Sequence, residues 1–188
     1  MKRVSNVTLS MILLFPGLAS AHTGMLQTSG MLQGFIHPFS GIDHLLAMLA
    51  IGIWAVQLGG EKIWLLPLTF IGVMAASSLL GMTGFSSQWL ELGILSSCVL
   101  LAVFISRSTR FSTPISVLVV AAFALFHGIS HGGEMAVELD GFSYMAGFIC
   151  ATALLHGLGI VFALLYRQWQ TAKCKQGVLV VPTDQDGL

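Results

Sequence analysis

The sequence has very few charged residues. They make up 9% of its 188 residues, and the eight basic and eight acidic side chains cancel at pH 7. Soluble domains carry about a quarter charged residues, so this chain has too little polar surface to cover a water-soluble fold. Without a basic excess, no nucleic-acid partner is expected. Hydrophobic residues reach 55% and the mean hydropathy is +0.88, which predicts a lipid bilayer as the surroundings of the chain.

Motifs for disulfide frameworks and for nucleotide hydrolysis are also missing. The three cysteines, Cys98, Cys150 and Cys174, are scattered, and no CxxC occurs. This pattern does not describe a disulfide framework or a cysteine-based metal site. No GxxxxGK[ST] motif is present, so the chain does not hydrolyse ATP through a P-loop.

The N-terminus has the pattern of a processing signal. Two basic residues precede a short apolar segment at 9–18, and the A-x-A motif Ala19-Ser20-Ala21 follows. This order predicts a signal peptide over residues 1–21 and a mature chain that begins at His22. An uncleaved signal anchor is the alternative, and both interpretations place His22 outside the cytoplasm.

Long apolar segments follow the signal, separated by short stretches rich in Gly, Ser and Pro. At about 20 residues per crossing, they predict an all-α, polytopic membrane helical bundle of about five transmembrane helices, in a single domain over residues 22–170 with a tail at 171–188. The segment Thr23–Phe39 is less apolar and is expected to form a short interfacial helix before the first span. The predicted spans are 40–58, 62–83, 89–106, 113–131 and 142–167.

Basic residues are distributed unevenly between the predicted loops. If the mature N-terminus is outside, every Lys and Arg of the mature chain falls in an inner segment, whereas the loop before the last span holds Glu134, Glu138 and Asp140. The positive-inside rule therefore predicts an external N-terminus and a cytoplasmic C-terminus. The basic residues concerned are Lys62, Arg107, Arg110, Arg167, Lys173 and Lys175.

Ionisable side chains near the first span form one candidate site. His37, Asp43 and His44 lie at its predicted outer end, and Met48 follows His44 by one turn on the same helix face. Ionisable groups inside a membrane are costly and usually face a cavity or a partner. A bound metal ion would compensate the cost of burying these groups. For a single histidine, a hydrogen bond to a neighbouring helix is the simpler explanation.

The local sequence around this cluster predicts its backbone. Pro38 and Gly41 are expected to keep His37 off the helix, in a loop that folds towards the start of the first span. Ser40 is the expected N-cap of that span.

A second cluster of the same chemistry occurs at the fourth span. His127 and His131 are four residues apart on one helix face, and Glu134 returns to that face if the helix continues. The fourth span runs outward and the first inward. The two clusters are therefore expected at the same membrane depth, although they are far apart in sequence.

Two further histidines lie away from these clusters. His156 is about 21 Å below the start of the last span at Phe142. It is either a relay site along a metal path or a packing histidine beside Gly157. His22 would offer an α-amine and an imidazole for chelation, or would simply be an exposed terminus.

These donors indicate a type of ligand. Imidazole nitrogens and carboxylate oxygens suit divalent first-row metals such as nickel, cobalt, copper or zinc. Transport of such an ion, an intramembrane metalloenzyme and a non-transporting metal-binding accessory protein are all compatible with this set. The pattern leaves open whether copies of the chain associate into a homo-oligomer.

The sequence resembles the HupE/UreJ family of membrane proteins. The resemblance is carried by two motifs, His37-Pro38 to Asp43-His44 and Phe126-His127-Gly128 to Glu134. The resemblance covers the chain to about Arg167, and Ser130 departs from the small apolar residue expected there. It implies a nickel or cobalt permease of the bacterial inner membrane rather than an enzyme, with the divalent metal ion as substrate. In that membrane, the external N-terminus that the charges predict would be periplasmic. The residues that carry over by motif position are His37, Asp43, His44, His127, His131 and Glu134.

Overall fold

The computed structural model describes residues 30–85, 87–135 and 140–175. Within these ranges the chain forms helices joined by short turns, and no strand is present. The predicted signal peptide and His22 lie outside the described residues. The helices are α1 (Gly30–Ser40), α2 (Ile42–Leu58), α3 (Lys62–Gly81), α4 (Gln88–Ser106), α5 (Thr113–Met135) and α6 (Gly141–Lys175).

Four of these helices, α3 to α6, are long and apolar enough to cross a membrane by themselves. The helices α1 and α2 pass the same test only together, and they are bent by 84° at the break between them. The all-α membrane bundle is therefore confirmed, and the number of spans agrees with the predicted five if the bent pair of α1 and α2 is one span. Large apolar side chains such as Leu68, Leu118 and Phe162 point outward, as expected for helices surrounded by lipid.

Glycine residues allow helices of the bundle to pack closely. A Cβ atom at Gly34 of α1 would overlap the backbone of Tyr144 in α6, and one at Gly147 would overlap the backbone of Met31. Gly132 of α5 packs in the same way on Ser78 of α3. Because small residues let membrane helices approach closely, these contacts fix α1 on α6 and α5 on α3.

The loop between α4 and α5 is tied to the ends of α2 and α3. Trp54 Nε1 donates a hydrogen bond to the carbonyl of Thr109, at 3.2 Å, and Lys62 Nζ donates one to the carbonyl of Phe111, at 3.1 Å. These bonds pair two carbonyl groups of an irregular segment. A carbonyl group left unpaired near lipid costs free energy. They close the bundle at the end opposite the first turn of α2.

The prediction that His37 lies in a loop is wrong, because α1 continues through His37 and Pro38 to Ser40. Pro38 falls in the last turn, where it removes one hydrogen bond, and the packing of α1 against α6 offsets this loss. The chain turns instead at Gly41, which has extended φ and ψ angles of −108° and 123°. The predicted N-cap is also wrong: Gly41 caps α2 without a side-chain bond, and Ser40 Oγ donates to the carbonyl of Ile36.

The last two helices are longer than the predicted spans. Helix α5 continues past residue 131 to Met135, so Glu134 is helical, and α6 continues past residue 167 to Lys175. A hydropathy pattern marks where a segment stops being apolar. The backbone hydrogen bonds that define a helix do not stop at that point.

Candidate metal centre

Three histidines from three helices meet inside the bundle. His37 comes from α1, His44 from the first turn of α2 and His131 from α5. Each offers one ring nitrogen, and these atoms all lie within 4.8 Å of one another. The ring centroids of His37 and His44 are each 4.7 Å from that of His131. Three nitrogens at this separation surround a volume in which one metal ion could contact all of them.

Asp43 supports this group through His44 and is not itself one of the three. Its Oδ1 lies 2.9 Å from His44 Nδ1. Because an ionised carboxylate only accepts, Nδ1 carries the hydrogen and Nε2 keeps its lone pair. Nε2 is buried and has no hydrogen-bond partner among the described residues. This is the carboxylate–histidine pairing that orients and strengthens an imidazole ligand in metal sites.

His127 lies one turn deeper than His131 on α5 and is fully buried. Its Nδ1 donates to the carbonyl of Phe123 at 2.9 Å, so Nε2 again carries a lone pair. No described residue forms a hydrogen bond with that Nε2. The His127 ring centroid is 5.5 Å from that of His44, which places a fourth nitrogen donor below the three-histidine group.

Aromatic rings surround these imidazoles. Phe148 of α6 lies 4.6 Å from His131 and 5.7 Å from His37 between ring centroids, and Tyr144 lies 5.9 Å from His37. Phe70 of α3 contacts His127 at 5.2 Å. Apolar walls of this kind exclude water from the site and strengthen interactions between its donors and a cation.

The remaining candidates lie at different places. Glu134 continues α5 by about one turn beyond His131, and its side chain is outside the described part of the structure. Met48 is fully buried in the apolar core, one turn past His44. His156 is buried on α6 against Phe70, at 5.4 Å, and does not belong to the three-histidine group.

Sequence reasoning missed the aromatic walls and one cysteine. Phe70 and Phe148 carry no signal of their own, because phenylalanine is ordinary in an apolar span. Tyr144 and Phe148 are four residues apart on α6, but a shared face does not reveal what it contacts. Cys98 Sγ donates to the carbonyl of Asp43 at 3.1 Å, so α4 supports the first turn of α2.

The fold and this site together define a class: a polytopic membrane protein with histidines and a carboxylate gathered inside its helical bundle. The family model described as HupE / UreJ protein matches residues 9–182. The chain is also 41% identical over 164 residues to Protein HupE of Rhizobium leguminosarum bv. viciae, covering 87% of this chain and 85% of that protein. The chain belongs to the HupE/UreJ family, as its motifs predict.

Membership of this family narrows the possible functions of the chain. Proteins of this family are transport or accessory proteins and not enzymes, which removes the intramembrane metalloenzyme from the alternatives. The family is generally related to nickel and cobalt transport. No solved structure is significantly similar to this chain.

Proposed function

We propose that this protein is an uptake permease for a divalent transition metal, nickel or cobalt, in the bacterial inner membrane. The metal is the substrate. It is captured by His37, His44 and His131, with His127 as a further donor below them. Asp43 orients His44 and supplies negative charge, and Glu134 lies at the mouth of the site.

The observation that carries this proposal is the convergence of three imidazoles from α1, α2 and α5, with ligand atoms within 4.8 Å of one another. Imidazoles are expensive to bury unless each finds a partner. A structural role would be met by hydrogen bonds to neighbouring helices, yet Nε2 of His44 and of His127 have none among the described residues. A cation bound between the rings accounts for both atoms.

The proposed direction of transport follows from the charge distribution. The mature N-terminus is periplasmic and the C-terminus cytoplasmic, so the start of α2 and the end of α5 are near the periplasm. A cation arriving from outside therefore meets the three histidines before it reaches the core.

The donor set also restricts the metal. Several imidazoles with one carboxylate suit nickel, cobalt, zinc and copper and disfavour magnesium and calcium, which prefer oxygen ligands. Among the suited metals, the family favours nickel and cobalt. Affinity rises along the divalent series towards copper, so competition between metals has to be measured with each at a buffered free concentration.

Uptake of radiolabelled nickel and cobalt into proteoliposomes tests the proposal. The purified wild-type protein is expected to transport at least one of the two metals, and His44→Ala and His131→Ala are expected to abolish uptake while the proteins remain folded. Ser96→Ala is the matched control, because this hydroxyl lies on α4 and, among the described residues, bonds only the carbonyl of Leu92 in its own helix. It should transport normally.

Two results would contradict the proposal. Tight nickel binding without any uptake by the wild-type protein would indicate an accessory role instead of a permease. Normal uptake by both histidine variants would remove the site from the mechanism.

A further inference from the structure

Below the three-histidine group, α6 carries buried polar atoms that this group does not explain. His156 is 1% exposed, and both of its ring nitrogens are buried without a hydrogen-bond partner among the described residues. Thr152 lies one turn earlier on the same face, and its hydroxyl is likewise buried and without such a partner. A buried polar group left unpaired is destabilising, so this pair needs a ligand.

These groups lie along a line that starts at the three histidines. The buried face of α6 carries Tyr144, Phe148, Thr152 and His156 in successive turns. The first two contact His37, and Phe148 also contacts His131. From Phe148 to His156 the helix advances two turns, about 12 Å. His156 is therefore about 12 Å deeper in the bundle than the three-histidine group.

His127 connects the two levels. It lies one turn, about 6 Å, below His131 on α5, and its ring contacts Phe70 on the same side of the bundle as His156. The Phe70 ring centroid is 5.2 Å from His127 and 5.4 Å from His156. Both histidines are thus within reach of the same aromatic ring, and His127 Nε2 is unpaired within the described structure.

We propose that His156 and Thr152, together with His127 above them, form a second, inner station for the divalent cation. The inference rests on the proposed transport function. At the outer site the ion is bound by three imidazoles beside the Asp43 carboxylate. At the inner station it meets two imidazoles and a hydroxyl, which are all neutral donors. The inner station binds more weakly, so the ion can leave it again, as stepwise conduction requires.

Variants at the inner station distinguish binding of the ion at the outer site from its passage through the protein. His156→Gln keeps the size and polarity of the side chain but removes the imidazole, and Thr152→Val removes only the hydroxyl. Leu155→Met is the matched control, because Leu155 is buried on the same helix and methionine conserves its volume. Nickel binding to the outer site, measured by equilibrium dialysis at low free nickel, is expected to stay within about two-fold of wild type in all three.

Uptake is expected to distinguish them. In proteoliposomes His156→Gln should lower the maximal rate about ten-fold or more, equivalent to ~1.4 kcal/mol in the barrier, with little change in KM. Thr152→Val should lower it less, and Leu155→Met should transport as wild type does. Saturating nickel should load two ions per wild-type protein and one per His156→Gln protein.

An unchanged maximal rate in His156→Gln, with wild-type uptake intact, would overturn the inner station and leave the proposed function standing. No uptake by the wild-type protein would instead overturn the proposed function. If His156→Gln does not fold, as judged by its elution profile and melting temperature, His156→Asn and Thr152→Val take its place. Full-rate transport by both would then overturn the inference.

Discussion

At the scale of single residues, the tautomers decide which atoms can bind the metal. His44 and His127 each commit Nδ1 to an oxygen acceptor, the Asp43 carboxylate and the Phe123 carbonyl. In both rings the lone pair is therefore on Nε2, the atom without a hydrogen-bond partner among the described residues. The Asp43 carboxylate thus leaves Nε2 of His44 free to bind a metal, and the Phe123 carbonyl does the same for Nε2 of His127.

The role of Asp43 can be tested by changing its charge alone. Asp43→Asn keeps an oxygen that accepts from His44 Nδ1 but removes the negative charge. Loss of a partner of this kind costs about 10- to 100-fold in metal affinity, so nickel affinity measured by equilibrium dialysis should fall by that factor. Ser40→Ala is the control and should bind like wild type, because within the described structure this hydroxyl bonds only the carbonyl of Ile36. Equal affinities for Asp43→Asn and wild type would show that the negative charge of Asp43 contributes nothing to metal binding.

At the scale of helices, the sequence predicted the site best where the helix periodicity applies. His127 and His131 share a face of α5 because they are four residues apart, and α5 does continue through Glu134. The local structure at His37 was predicted wrongly because Pro38 and Gly41 were expected to keep this residue off the helix, in a loop. Packing against α6 extends it, and a contact with a distant helix is not visible in local sequence.

The contact between α1 and α6 should position His37. A methyl group at Gly147 would overlap the backbone of Met31, whereas one at Gly157 in the same helix meets no atom within 4 Å among the described residues. Gly147→Ala is therefore expected to push α1 away and weaken nickel binding, with a lower melting temperature. Gly157→Ala should leave both quantities unchanged. Equal behaviour of the two variants would show that this contact does not hold His37 in place.

The start of α6 has a pH-dependent cap. The Asp140 carboxylate accepts from the backbone N–H of Ser143 at 3.1 Å, and hydrogen bonds from the Ser143 side chain and backbone lower the pKa of Asp140. A depressed pKa stabilises the fold above the unfolded value of about 3.9, and this stabilisation is lost as pH falls through the folded pKa.

Asp140→Asn keeps a capping oxygen but cannot ionise. The melting temperature of wild type should exceed that of Asp140→Asn at neutral pH, and the gap should close as the pH is lowered below about 4. Circular dichroism of the detergent-solubilised proteins over this range measures it. A difference in melting temperature that stays constant with pH would mean that ionisation of Asp140 contributes nothing to stability.

At the scale of the whole molecule, many large apolar side chains face outward, and the histidines of the described residues face inward. The polar chemistry is therefore concentrated inside the bundle. The sequence predicted that the first and fourth spans bring their donors to one depth. It predicted His37 as a donor but expected it in a loop, and it did not predict that Phe70 and Phe148 surround the rings, because the helix that carries His37 and these aromatic contacts both depend on which helices are neighbours. Hydropathy gives the number and order of the spans and leaves their arrangement in the plane of the membrane undetermined.

Because the three-histidine group joins α1, α2 and α5, metal binding should stabilise the entire bundle. A ligand that binds only the folded protein adds about 2.7 kcal/mol when its free concentration is 100 times its Kd, so nickel should raise the melting temperature and a chelator should reverse the rise. Protons compete for the same lone pairs, and protonated imidazole cannot bind the metal, so the rise should shrink as the pH is lowered. His131→Ala separates this effect from nonspecific binding at other groups, because it removes the one ligand that α5 contributes to the three. If nickel stabilised His131→Ala as much as wild type, the ion would be bound elsewhere, and the convergence of the three helices would have to be explained by packing alone.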